Sequence, residues 1–275
     1  ENELTVKANK RTFIFSKKDG QLKGVSVDNR KISFANGPRF IGARRADRSL
    51  DQFYNHDDEK AKEKDRTYSE FPDAAVFTKL DVKEDGGNLV VTANYKLGNL
   101  DKAQWTINPS GDLALDYTYN FSGVVDLMGI RFDYPEDQVI SKRWLGAGPY
   151  RVWQNRIHGT QYDVWENDYN DPIPGETFTY PEFKGYFGDV SWMNIQTKEG
   201  TISLTNETPD AYIGVYQPRD GRDRLLYTLP ESGISVLNVI PPVRNKVNST
   251  DLCGPSSQPK WVNGPQTGRV IFRFM

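Results

Sequence analysis

The stretch Trp144-Leu-Gly-Ala-Gly-Pro-Tyr-Arg-Val-Trp-Gln-Asn-Arg156 opens a segment reaching Trp192 that holds four of the chain's six tryptophans. An indole offers a flat apolar face to the C–H side of a sugar ring. Arg, Asn and Glu supply the donors and acceptors that fix hydroxyl groups. Arg151, Trp153, Arg156, Trp165 and Glu182 are read as one carbohydrate-facing surface, with two rings to stack, two guanidinium forks and one carboxylate. Alternate positions of a strand share a face, so Arg151, Trp153 and Asn155 are expected to project together. On that reading Trp153→Ala and Arg156→Ala each weaken sugar binding without unfolding the domain. The competing reading is an aromatic loop packed on the protein body, its arginines stacked on rings.

Acid–base chemistry has fewer candidates. Glu166, Asp168, Asp171, Glu176 and Glu182 lie near the rings, and a glycosidase needs two carboxyl groups flanking one bond. Glu182 sits in the most apolar surroundings, between Tyr180-Pro and Phe183, where burial would raise its pKa; a salt bridge with Lys184 is the alternative. His158 is the proton-transfer candidate, and His158 with Glu182 would make the acid–base pair of an epimerase. The Gly146-x-Gly148 pair does not continue as a phosphate loop, and Pro149 removes an N–H that a phosphate would want. It reads as a rigid turn. His56 beside Asp57 and Asp58 is a weak metal signal. Cys253 stands alone, which excludes an internal disulfide and a cysteine-rich zinc cluster. No metal and no cofactor are expected.

The elements that must position these residues are strands. The runs at 4–8, 12–16, 22–27, 77–82, 89–97, 105–107, 113–121, 200–205, 211–216, 234–240 and 269–274 are β-prone. Asp19-Gly20, Asp85-Gly-Gly87 and Asn108-Pro-Ser-Gly111 separate them as turns. The pattern is a meander of hairpins. Two segments interrupt it: the charged run at 51–68, read as an exposed loop or short surface helix, and the aromatic stretch at 146–186.

The 275 residues suit one large β domain, 1–275. Apolar residues make up 37%, and 35 basic against 37 acidic side chains leave a net charge of −2. Without a basic block, nucleic acid and membrane surfaces are not expected partners. No apolar run approaches the ~20 residues of a membrane span. The opening Glu1-Asn-Glu-Leu-Thr-Val carries no signal-peptide pattern, as expected where none existed or of a mature or excised segment. The compartment is open, with a periplasmic or secreted one favoured.

Three places in order resemble the C-terminal β-sandwich, or β-galactosidase small-chain, domain of family 2 glycoside hydrolases. Leu4-Thr-Val, Phe15-Ser-Lys-Lys-Asp-Gly-Gln-Leu and Gly37-Pro-Arg-Phe-Ile-Gly-Ala-Arg44 are similar to its opening elements. Trp144-Leu-Gly-Ala-Gly-Pro-Tyr with Asn155-Arg156 resembles its W-x-G-x-G-P-x-E-x-Y-x-D-R pattern. Tyr180-Pro-Glu-Phe-Lys-Gly and the 269–274 strand resemble its later parts. The resemblance implies an all-β, large two-layer antiparallel supersandwich of the galactose-mutarotase-like kind. It also implies that the catalytic carboxylates belong to a separate upstream domain of the same parent chain. Arg151 and Trp153 stand where the family has Glu and Tyr, which leaves the sugar open.

The leading expectation is thus a noncatalytic, carbohydrate-associated domain that supports or borders the active site of a larger β-galactosidase-like hydrolase. Its partners are carbohydrate and the upstream catalytic domain. The alternatives are a stand-alone aldose epimerase and a purely structural interface domain.

Overall fold

The computed structural model describes residues 2–45, 68–169, 185–215, 230–242 and 254–275. Eighteen strands, numbered in chain order, form two nine-stranded sheets among these residues. The first sheet runs β1 (Glu3–Ala8), β2 (Arg11–Ser16), β3 (Leu22–Val27), β5 (Ala35–Arg45), β11 (Leu127–Asp133), β17 (Ile234–Val239) and β16 (Tyr212–Val215). Beside that path, β4 (Arg30–Ile32) pairs with β3 and β6 (Tyr68–Glu70) with β5. The second runs β13 (Gln161–Asp168), β12 (Val139–Gly148), β14 (Trp192–Thr197), β15 (Gly200–Asn206), β18 (Lys260–Phe274), β10 (Leu113–Val125), β9 (Leu100–Ile107), β8 (Asn88–Lys96) and β7 (Val76–Asp85). All the strand pairs are antiparallel. The fold is an all-β, large two-layer antiparallel supersandwich.

Alternation in sequence becomes alternation in burial. On β9, Ala103, Trp105 and Ile107 point inward with exposed or half-buried neighbours, and on β10 Tyr117 and Tyr119 do the same after the buried start Leu113–Leu115. The layers meet through rings. Phe34 stacks on Phe132 of the first sheet at 4.7 Å and tilts against Phe272 of the second at 5.0 Å. Trp105 meets Phe132 edge-on at 6.0 Å and Phe15 at the same distance. These offset and edge geometries suit the ring quadrupole, so the contact between layers gains more than area burial alone. A polar bond crosses as well: the Tyr119 hydroxyl donates to the Asn238 side-chain oxygen at 2.6 Å.

Glu199, in the turn between β14 and β15, ties the second sheet to the first. Its carboxylate accepts from the Ser33 amide at 2.9 Å, the Ser33 hydroxyl at 2.6 Å and the Tyr134 hydroxyl at 2.9 Å. Burial pushes its carboxyl pKa up, but the bonds from Ser33 and Tyr134 outweigh burial and the net shift is downward. A lowered folded-state pKa contributes stability above the ordinary glutamate value. That contribution is lost as pH falls through the lowered value. Glu199→Gln is expected to cost about 1–2 kcal/mol at neutral pH, at the lower end because the site is partly solvated. It should also flatten the fall in melting temperature on acidification below the ordinary glutamate range. Melting curves for both proteins across that range test this, and parallel acid limbs would refute the role.

Candidate functional site

The aromatic segment begins on β12, opposite β13 and β14. Trp144 turns inward, its indole N–H donating to the Ala147 carbonyl at 3.0 Å and its ring meeting Phe187 edge-on at 4.8 Å. Its cross-strand partner on β13 is Trp165, half-buried, whose indole donates to the Gln161 carbonyl at 3.2 Å. Gly148, next to the cis Gly148–Pro149 bond, lies under that ring; a Cβ there would fall 2.3 Å from Trp165 Cδ1. Only glycine lets β12 pass so close.

Beyond Pro149 the chain is a turn, not the strand expected from alternation. Val152 exchanges backbone bonds with Tyr186 at 2.7 and 2.8 Å, and Trp153 and Arg156 close on each other at 3.2 and 2.9 Å. Gln154 fastens the turn elsewhere. Its amide donates to the Pro241 carbonyl at 3.0 Å, and its side chain donates to the Ser256 and Gln258 carbonyls at 2.9 and 2.6 Å. The segment is thus held by three distant parts of the chain.

The burial of Trp153 has a clear cause. Phe40, Ile130 and Val236 of the first sheet face the main core, so the alternate residues Ile41, Leu127 and Leu237 point to the far side. Those apolar side chains need a cover. Trp153, Val152 and Tyr186 supply it, with Trp153 only 2% exposed and 5.7 Å from Tyr186, edge to face. Arg151 is 3% exposed, its guanidinium 5.8 Å from the Phe187 ring centre. These positions correct the expectation that Arg151 and Trp153 project together onto an open face. Their side chains support the turn from beneath.

The accessible part is narrower. Arg156 is half-buried and lies over the Tyr150 ring at 5.8 Å, and the Tyr150 hydroxyl donates to the His158 carbonyl at 3.2 Å. His158 is exposed. On β13, Tyr162 is 58% exposed and its hydroxyl shares a 2.6 Å bond with Ser191. Glu166 and Asp168 are exposed, Glu166 lying 4.0 Å from Arg143. Glu182, with Asp171, Glu176, His56 and Cys253, lies outside the described residues. The structure thus brings Tyr150, Arg156 and His158 together at one turn, with Trp165 at the root of that turn.

A second feature, which no sequence motif announced, is a cavity of about 370 Å³ at the opposite end of β11. Ser33, Asn36, Asp133, Glu136, Glu231 and Ser232 contribute polar groups to its wall. They come from separate segments of the chain, so spacing carries no signal. Among the described residues no group of three or more His, Cys, Asp or Glu is placed to hold a metal ion.

A family model described as beta galactosidase small chain matches residues 7–248. Among curated proteins, none matches the sequence. Solved structures do. A galactose 1-epimerase from Lactobacillus acidophilus NCFM superposes with a TM-score of 0.51 at 10% identity, over 99% of this chain and 94% of that one. A galactose mutarotase-like protein from Lactobacillus casei ATCC 334 gives 0.47 at 10% identity, over 99% and 100%. An aldose epimerase homologue from C. elegans gives 0.46 at 9%, over 99% and 98%. Identities this low speak to fold, not activity.

Trp153→Ala should cost about 3–5 kcal/mol, because it empties the cover of the first sheet's far face. Arg156→Ala, half-exposed, should cost less than about 1 kcal/mol. Urea melts of both variants check the contrast; equal midpoints would mean that Trp153 is not the support described.

Proposed function

Since the chain belongs to the β-galactosidase small-chain family, and membership implies association with a catalytic large chain or domain, we propose that it is a noncatalytic, carbohydrate-associated part of a β-galactosidase-like glycoside hydrolase. Its role is to border the active site of that catalytic partner. The observation carrying this reading is the clamped turn at 150–156. Its buried residues hold it rigidly while Tyr150 and Arg156 stay accessible. A rigid support with an adaptable polar tip suits a group that must meet a sugar in one position.

Arg156 and Trp165 are the proposed carbohydrate contacts, with Arg151 and Trp153 fixing the turn beneath them and Glu182 the proposed carboxylate. Arg156 can fork two hydroxyls, and Trp165 can give its accessible edge to a ring. Hydrolysis itself, in this reading, uses carboxylates of the partner.

The experiment uses the chain assembled with its catalytic partner. Arg156→Ala combined with Trp165→Phe should lower kcat/KM for a nitrophenyl β-glycoside by roughly tenfold, corresponding to about 1.4 kcal/mol, with the assembly intact by gel filtration. Polarimetry on freshly dissolved galactose should show no acceleration by the chain alone. An unchanged kcat/KM in the double variant removes the bordering role. Accelerated mutarotation replaces the reading with that of an epimerase.

A further inference from the structure

We propose that the row formed by Arg39 of β5, Arg131 of β11 and Ser235 of β17, on the far face of the first sheet, is a binding site for one carboxylate group. It goes beyond the bordering role above and uses none of its residues.

Register builds the row. Arg39 is the direct cross-strand partner of Arg131, Arg131 of Ser235, and Ser235 of Gly214 on β16. Alternation puts them on the same side as Ile41, Leu127 and Leu237, one row along from Ile41 and Leu237. Glycine at 214 leaves room for the serine: a Cβ there would fall 2.3 Å from the Ser235 hydroxyl oxygen and 3.6 Å from the Tyr186 ring.

Three buried donors on this row have no hydrogen-bond partner among the described residues. They are the Nε–H of Arg39, the Nε–H of Arg131 and the hydroxyl of Ser235, which is 0% exposed. The ends of the guanidinium groups are engaged elsewhere. One terminal nitrogen of Arg39 pairs with Asp133, and one of Arg131 donates to the Glu231 carbonyl. The inner, Nε edge of each fork is left unfilled. A buried donor without an acceptor is costly, and here three stand in register.

The row sets the class of occupant. A guanidinium only donates, so the occupant must bring acceptors. A carboxylate offers two oxygens in the geometry that a guanidinium edge takes, and its charge makes those bonds stronger than neutral ones. Net charge selects among oxyanions. Burial and the neighbouring Arg39 both work against the positive charge of Arg131, and an anion relieves that; Glu70, Asp133 and Asp73 already act in the same sense. With those acids nearby a dianion meets more repulsion than a monoanion, so a carboxylate is favoured over phosphate. A neutral sugar brings acceptors without the charge and binds more weakly.

The test is ligand-observed NMR on the full chain with acetate, D-galacturonate, D-galactose and inorganic phosphate as probes. At least one carboxylate should saturate with millimolar affinity, with phosphate weaker and galactose unable to displace it. Arg131→Lys keeps the charge and removes the Nε edge, and should weaken that binding about tenfold. Ser235→Ala should weaken it about threefold without lowering the melting temperature, since it removes a hydroxyl that the free protein leaves unpaired. Arg156→Ala combined with Trp165→Phe should leave it unchanged. Absence of saturable binding by both carboxylates up to about 100 mM overturns the proposal. So does binding that Arg131→Lys or Ser235→Ala leaves intact, or phosphate binding tighter than either carboxylate. If the Arg156 and Trp165 double variant removes the signal, the carboxylate lies at the clamped turn, which sinks this inference and leaves the bordering role standing.

Discussion

The arrangement of this molecule turns on covering the far face of the first sheet. A sheet packed on both sides needs apolar residues on both faces of its central strands, and Ile41, Leu127 and Leu237 provide the outward set. Trp153 and Tyr186 close over them, Trp153 from the turn at 150–156 and Tyr186 through its paired backbone bonds with Val152 of that turn. The same burial that completes the second core fixes where Tyr150 and Arg156 stand. Folding energy and site geometry come from one contact, so the turn cannot move without exposing apolar surface.

Much of the hairpin framework was legible in the sequence because local chemistry specified it. Gly20 takes a positive φ at the turn before β3, which spans the residues 22–27 read from alternation. Asn108 and Gly111 close the turn before β10, the Gly111 amide donating to the Asn108 carbonyl at 2.9 Å. Among the strands that escaped were β5, β12, β14 and, most plainly, β11. Its burial is nearly continuous, since the main core lies on one side and the Trp153 cluster on the other, and a strand buried on both faces has no alternation to read. The exposed edge strand β13 failed for the opposite reason, being largely solvated.

The site was legible in outline and misread in detail. The pattern at Trp144 to Arg156 marks a real structural device, the clamped turn, and lies within the residues 7–248 that match the family. Alternation at 151–155 suggested a strand face, whereas Val152 finds its partner in Tyr186, more than thirty residues away. Nothing local in the sequence encodes that pairing. The polar cavity was invisible for a related reason, since its wall is assembled by sheet register from residues 33–36, 133–136 and 231–233.

One of the cavity's acids, Asp133, has a physical reason to stand where it does. Arg39 and Arg131 are direct cross-strand partners, two guanidinium groups side by side on β5 and β11. Burial lowers the Arg131 pKa, and Arg39 lowers it further; Glu70, Asp133 and Asp73 oppose both. Asp73 is itself pushed upward by burial, against the pull of Arg39 and Arg131. The acids therefore stand where like charges would otherwise face each other uncompensated. Asp133 serves both needs, balancing Arg39 on one side and presenting acceptors to the cavity on the other.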